Sequence, residues 1–193
     1  LGKEDNGHWL IAPRSQPSRI TRKCRDETLV LETTFETPEG VVTLVDCMPP
    51  RTDGPQIVRQ VVGQRGEVPM RMCLVIRFDY GSIGPWLRRQ KGADGHRHHA
   101  AHAIAGPDAL LLNAPIDLIR EDTVIRAEFE VAAGQRLAFI LQHHPSNRTA
   151  PTPPDALEML EATDRWWKDW SDRCEYQGKW REEVLRSLIV LKA

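Results

Sequence analysis

The sequence predicts a mainly β protein, an antiparallel β-sandwich followed by one or two α-helices. Three observations carry that reading. Residues 67–79 alternate along their length, with Val68, Met70, Met72, Leu74, Ile76 and Phe78 on one face and Pro69, Arg71, Cys73, Val75, Arg77 and Asp79 on the other. A period of two is the signature of a strand with one face in a core. Residues 28–37 and 41–47 flank Pro38-Glu39-Gly40, which reads as a hairpin turn. After the proline-rich stretch PSNRTAPTPP the apolar period changes from two to that of a helix.

Taken in order, residues 1–145 read as β and open on the apolar run Trp9-Leu10-Ile11. In residues 28–37, Leu29, Leu31, Thr33 and Phe35 alternate with Val30, Glu32, Thr34 and Glu36. Further strands are expected at 57–64, 109–112, 124–131 and 136–143, the last two joined through Ala132-Ala133-Gly134. Many antiparallel strands joined by Gly and Pro turns suggest a sandwich. Residues 81–105 are broken by Gly81, Gly84, Pro85, Gly92 and Gly95 and carry a charged stretch, so a long surface loop is expected there. Residues 146–154 read as a linker and 155–193 as helical. The first helix, over 155–171, carries Leu157, Leu160, Thr163, Trp167 and Trp170 on one stripe. Gly178 separates it from a second, over 180–192, with Trp180, Val184, Leu185, Leu188 and Leu191. That second stripe has nothing after it to bury against. The expectation is a chain that forms the front piece of a longer protein, exposes Leu185, Leu188, Ile189 and Leu191, and self-associates through them.

Composition narrows the function classes. Lys and Arg number 26 against 27 Asp and Glu, a net charge of -1. A surface for nucleic acid or an anionic membrane would need a basic excess, so neither is an expected partner. No apolar run approaches the roughly 20 residues of a membrane span. Cys24, Cys47, Cys73 and Cys174 are widely spaced with no CxxC pair, which argues against a zinc ribbon and suits a reduced, cytoplasmic protein. The triplet Asn147-Arg148-Thr149 would matter only in a secretory setting.

Candidate chemistry is sparse. Glu32, Glu36, Asp46 and Asp79 are the candidate carboxylates for an acid–base pair; Glu32 and Glu36 lie about 13 Å apart along one strand, and all four read as structural. His96, His98, His99 and His102 could hold a metal, since histidine is a common ligand, but with no carboxylate or thiol partner at fixed spacing except Asp94 they read as an adventitious site. Trp166, Trp167 and Trp170 sit at core-like helical spacing. Trp86 is the better candidate for stacking on a sugar. In Arg77-Phe78-Asp79-Tyr80-Gly81, Arg77 and Asp79 share a face and are expected to pair, with Phe78 in the core and Gly81 turning the chain.

Several strings, in a fixed order, carry a family resemblance. They are Gly7-x-Trp9 with Ala12-Pro13, Leu31-Glu32-Thr33, Asp46-x-Met48-Pro49, Val58-Arg59-x-Val61, Arg77-Phe78-Asp79-Tyr80-Gly81 with Pro85-Trp86, and Gly106-Pro107-Asp108. The helical segment adds Cys174-x-Tyr176-x-Gly178-x-Trp180-Arg181, Val184, Arg186-Ser187 and Leu191-Lys192. Over nearly the whole chain this resembles the N-terminal part of bacterial glycoside hydrolase family 15 proteins, the glucoamylase-like and trehalase-like group, with the trehalase-like subgroup nearest. The resemblance implies a supersandwich-like domain over 1–145, the linker, and at 155–193 the start of an (α/α)6 barrel. It implies a parent that hydrolyses α-glucosidic bonds with inversion, acting on an α-glucoside such as trehalose. The family's two catalytic glutamates lie in the barrel, so no catalytic residue is assigned here, no cofactor is called for, and the chain alone is expected to be inactive. The implied partner of the sandwich is its own C-terminal (α/α)6 catalytic domain. The alternative is a free-standing carbohydrate-binding or structural module. The HRHH run at 96–99 is outside the family pattern.

Overall fold

A computed structural model describes residues 6–51, 54–90, 99–152 and 155–193. The strand with the strongest alternation is its spine, and it is longer than the sequence suggests. The two strands expected at 57–64 and 67–79 are one, β5 (Gln56–Val75), 20 residues long. Its first half pairs with β4 (Gly40–Cys47) and β11 (Arg136–Pro145). Its second half pairs with β1 (His8–Pro13) and β10 (Val124–Ala132). One strand therefore serves both sheets of a sandwich.

The larger sheet has the order β2-β3-β4-β5-β11-β8-β7-β6. It is completed by β2 (Arg19–Cys24), β3 (Leu31–Glu36), β6 (Trp86–Gln90), β7 (Ala100–Ala105) and β8 (Asp108–Asn113). In the smaller sheet β1 and β10 flank β5, and β9 (Ile119–Glu121) pairs with β10. Every pairing of these strands is antiparallel.

The changeover between sheets lies at residues 63–66. Val62 is opposite Arg136 in one sheet and Glu67 opposite Ala132 in the other. The turn between β10 and β11 wraps the corner: Gly63 N–H donates to the Gln135 carbonyl at 3.0 Å, Gly134 N–H to Gly63 at 2.9 Å, and Ala133 N–H to Gly66 at 2.9 Å. Gly66 has φ +70, the left-handed region that a residue without Cβ reaches readily.

Between the sheets lies the main core. Val68, Met70, Met72, Leu74 and Ile76, the face that the alternation marks out, are all buried there, with Phe78 partly buried at the end. Phe35, Val42, Leu44, Leu112 and Phe139 meet them from the larger sheet. That sheet is also covered on its outer face. Val30, Val45, Cys47, Val58 and Ile140 pack beneath Leu160 of α1 (Ala156–Ser171). The Cys47 thiol is pushed up to about 11 there, chiefly by burial and against a hydrogen bond with Thr163. All four cysteines are free.

The first helix starts at Asp155, whose carboxylate accepts from the N–H groups of Leu157 at 2.8 Å and Glu158 at 2.9 Å. Asp155→Ala removes both acceptors and is expected to cost about 1 kcal/mol in a urea titration; an unchanged midpoint would mean that sheet packing alone holds the first turn.

The second helix, α2 (Arg181–Lys192), corrects one expectation. Leu185 and Ile189 are buried, against Trp167 and Leu29. Leu188, Val190 and Leu191 are exposed. The cause is anchoring: Arg181 binds the Glu27 carboxylate at 3.1 Å and Arg186 donates to the Thr28 carbonyl at 3.3 Å. Those contacts rotate the 185/189 edge of the apolar stripe inward.

The expected loop over 81–105 is also corrected. It contains β6 and β7, paired from Trp86 opposite Ile104 to Gln90 opposite Ala100. Leu87, Ala101 and Ala103 are buried, and small alanines make a weak alternation signal. The glycines at 92 and 95 fall outside the described residues. Among the described residues, no helix is long and apolar enough to cross a membrane.

Candidate functional site

Three strings of the family pattern meet at one end of the sandwich. Asp46, next to last in β4, stands directly opposite Arg59 of β5, and Trp9 lies on β1 of the other sheet. The Arg59 guanidinium makes a two-pronged contact with Asp46, 2.9 Å from Nε to Oδ1 and 3.3 Å from Nη2 to Oδ2. Its Nη1 donates to the Trp9 carbonyl at 2.6 Å, and the guanidinium carbon lies 5.0 Å from the Trp9 ring centre. The side chains retain only 14% and 23% exposure for Arg59 and Asp46. These groups line a cleft of about 650 Å³ with Leu31 and Thr33, from a fourth string. The two-pronged pair holds the Arg59 guanidinium in place within the larger sheet, and its bond to the Trp9 carbonyl ties that sheet to β1 of the smaller one.

The other carboxylates are also engaged. Glu32 accepts from Arg25 Nε at 2.8 Å, Glu36 lies 3.8 Å from Arg19, and Asp79 accepts from Ser82 Oγ at 3.0 Å. The expected Arg77–Asp79 pair does not form. Arg77 donates to the Ile76 carbonyl, and the chain turns already at Asp79, before Gly81. Asp79, Tyr80 and Gly81 have φ of +48, +53 and +96 in succession. Left-handed non-glycine residues store strain, and strain of this kind gathers at binding sites. Tyr80, which this loop presents, is fully exposed.

Trp86, the expected sugar contact, is 58% exposed, but the Arg88 guanidinium lies 3.8 Å from its ring centre. A cation over the ring competes with any stacking sugar. Of the tryptophans of α1 only Trp167 is buried; Trp170 packs partly against it, Trp166 stays 37% exposed, and Trp167 meets Trp166 and Trp170 edge to face at 4.8 and 6.0 Å.

Of the histidines considered as metal ligands, His96 and His98 lie outside the described residues. His99 faces Asp117 at 3.7 Å, whereas His102 faces His144. They take different partners, and no group of three metal-binding side chains occurs among the described residues. The His102–His144 pair was not visible in the sequence. Its two Nε2 atoms are 2.9 Å apart and the rings stack at 5.0 Å. His144 Nδ1 lies 2.9 Å from the Pro145 carbonyl, which requires the proton on Nδ1. Neutral His144 then accepts through Nε2, and His102 donates.

Burial first, and then His144 and Arg88, hold the His102 pKa below its ordinary value. A base whose folded pKa is depressed adds stability above its unfolded pKa of about 6.5, lost as pH falls toward the folded value. Thermal stability is expected to drop from pH 7 to pH 5, and His102→Gln to flatten that slope. An identical slope in the variant would clear the pair of responsibility.

No family model and no curated protein matches this chain. Among solved structures, the chain is similar to one described as a kojibiose phosphorylase from the human microbiome, with 7% sequence identity and a TM-score of 0.42. The match covers 94% of this chain and 27% of the other, so the chain spans about a quarter of that protein's length.

Proposed function

We infer that this chain is the non-catalytic sandwich domain of a carbohydrate-active enzyme, an inverting α-glucosidase of the trehalase or glucoamylase type. The observation that carries this reading is the meeting of Trp9, Asp46 and Arg59. Asp46 and Arg59 face each other on neighbouring strands 13 residues apart, and the Trp9 string, 50 residues from Arg59, is brought onto them from the other sheet. The exposed edge of α2, with Leu188, Val190 and Leu191, supports a second domain as its cover, and the strained Tyr80 loop suits a border to that domain's substrate entrance.

The chemistry in this reading belongs to the barrel. Inversion uses a protonated carboxyl as acid and an ionised one as base, roughly 6.5–9.5 Å apart with a water between. The sandwich supplies support.

The test is the complete gene product with trehalose and with maltose, followed by NMR of the anomeric protons. Inversion releases β-glucose. The 193-residue chain by itself should release none. Glucose 1-phosphate formed only with added phosphate would replace hydrolysis by phosphorolysis, and a complete product that cleaves no glycoside would overturn the reading. The isolated chain is also expected to self-associate with rising concentration in sedimentation, and Leu188→Glu with Leu191→Glu to return it to a monomer.

A further inference from the structure

The outer face of the larger sheet changes character along its strands. Where Val58 and Ile140 lie it is apolar and sealed by α1. One step further, Gln56 of β5 stands directly opposite Gln142 of β11. Beyond them a cleft of about 630 Å³ opens between the sheet, the 146–152 linker and the Met159–Trp166 side of α1. Its size falls in the range of small-molecule sites.

The floor of this cleft is polar. Gln142 is 2% exposed and His144 is 5% exposed. The Gln56 Oε1 atom is buried and has no hydrogen-bond partner among the described residues. A buried acceptor left unpaired costs free energy, and such groups are rare in folded proteins. His144 has both ring nitrogens engaged, with His102 and with the Pro145 carbonyl. His143 is occupied by Asp108 at 2.7 Å. Gln142 Oε1 accepts from Asn113 Nδ2 at 3.4 Å, so the floor offers the Gln142 N–H2 and the Gln56 acceptor, with Arg148 on the exposed rim. On the wall stands Trp166, 37% exposed and held edge to face against Trp167, with the Lys192 ammonium 5.8 Å from its ring centre, farther than the 3.8 Å of Arg88 over Trp86.

We propose that this cleft binds a neutral saccharide of one or two rings. Gln56 would turn its buried Oε1 toward the cleft to accept a sugar hydroxyl, the Gln142 N–H2 would face the neighbouring oxygen, and the apolar C–H side of the ring would lie toward Trp166. Each partner follows from chemistry: an unpaired acceptor needs a donor, planar amides match paired hydroxyls, and an indole suits a sugar's apolar face. A carboxylate or phosphate ligand would find no cation on the floor. The proposal does not depend on the α-glucosidase reading, because the cleft is made wholly by this chain.

The experiment is a titration of the isotope-labelled chain with glucose, maltose, trehalose and glucose 6-phosphate, following the Trp166 indole and Gln56 amide signals. Saturable shifts with a neutral sugar are expected. Gln56→Leu should weaken them about tenfold, the effect of one lost hydrogen bond, while leaving the melting temperature unchanged or raised, since it removes an unpaired buried acceptor. Thr149→Trp, on the exposed linker, should narrow the mouth and weaken binding without touching the core. No shift with any sugar, shifts that survive both variants, or shifts confined to glucose 6-phosphate and lost in Arg148→Ala would each overturn the proposal. An inactive complete enzyme would leave it standing.

Discussion

Gly63→Ala is expected to destabilise the chain by about 4 kcal/mol, near the upper end for a single substitution. A Cβ at this position would stand 2.0 Å from the Ala132 carbonyl oxygen and 2.7 Å from its carbon. The obstacle is backbone, so no rotamer change relieves it. That carbonyl cannot retreat either, because the Gln135 N–H is bonded to it at 3.0 Å and Ala132 is the last residue paired with β5 in the smaller sheet. The glycine sits where β5 leaves one sheet for the other, so a shift there disturbs pairings in both. Gly84 is the control. Nothing lies within 4 Å of its added Cβ and its φ is not in the left-handed region, so Gly84→Ala should be neutral within about 0.5 kcal/mol. Urea unfolding of the two variants side by side checks this. Equal midpoints would mean that the corner tolerates a displacement its hydrogen bonds argue against.

The same corner shows why part of the fold was legible and part was not. The inward face of β5 could be read directly because a buried strand face imposes a period of two. That Gln56–Val75 is one strand could not be read, because Gly63 and Gly66 look like a turn, and here they let two backbones approach. In β2 the residues are nearly all exposed, so no alternation marks it. The first helix was legible in its apolar stripe, whereas its Asp155 cap is seen only in the structure. For the second, the periodicity gave the helix, but the buried edge was selected by Glu27 and Thr28, residues about 150 positions earlier.

Sites were less legible than strands. The order of the family strings could be read, but periodicity says nothing of where Trp9, Asp46 and Arg59 go in space. His102 and His144 are brought together by β8, which lies between their strands, and each alone resembles a surface histidine. The Gln56–Gln142 pair has no motif. It becomes noticeable only once one oxygen is seen to be buried without a partner.

Arg59→Ala is the second large effect, expected at about 3 kcal/mol. The loss has separate parts. Asp46 would keep a charge in a site with 23% side-chain exposure and no counter-ion from β5, and the Trp9 carbonyl would lose its 2.6 Å donor. The link between β1 and the larger sheet would go with it. Asp46→Asn should cost less, about 1–2 kcal/mol, because the amide oxygen still accepts from the guanidinium while the charge pairing is lost. The decisive variant is the double one, Arg59→Met with Asp46→Leu. Replacing a partly buried ion pair by apolar side chains is often near neutral, whereas orphaning one member is not. If the cluster serves to hold the sheets together, the double variant should recover most of the stability lost in Arg59→Ala. If it recovers none, the hydrogen bond to Trp9 carries the link. If Arg59→Ala itself falls within about 0.5 kcal/mol of the parent, the convergence of the family strings has no structural role, and the reading of this domain as a support for a barrel loses its best argument.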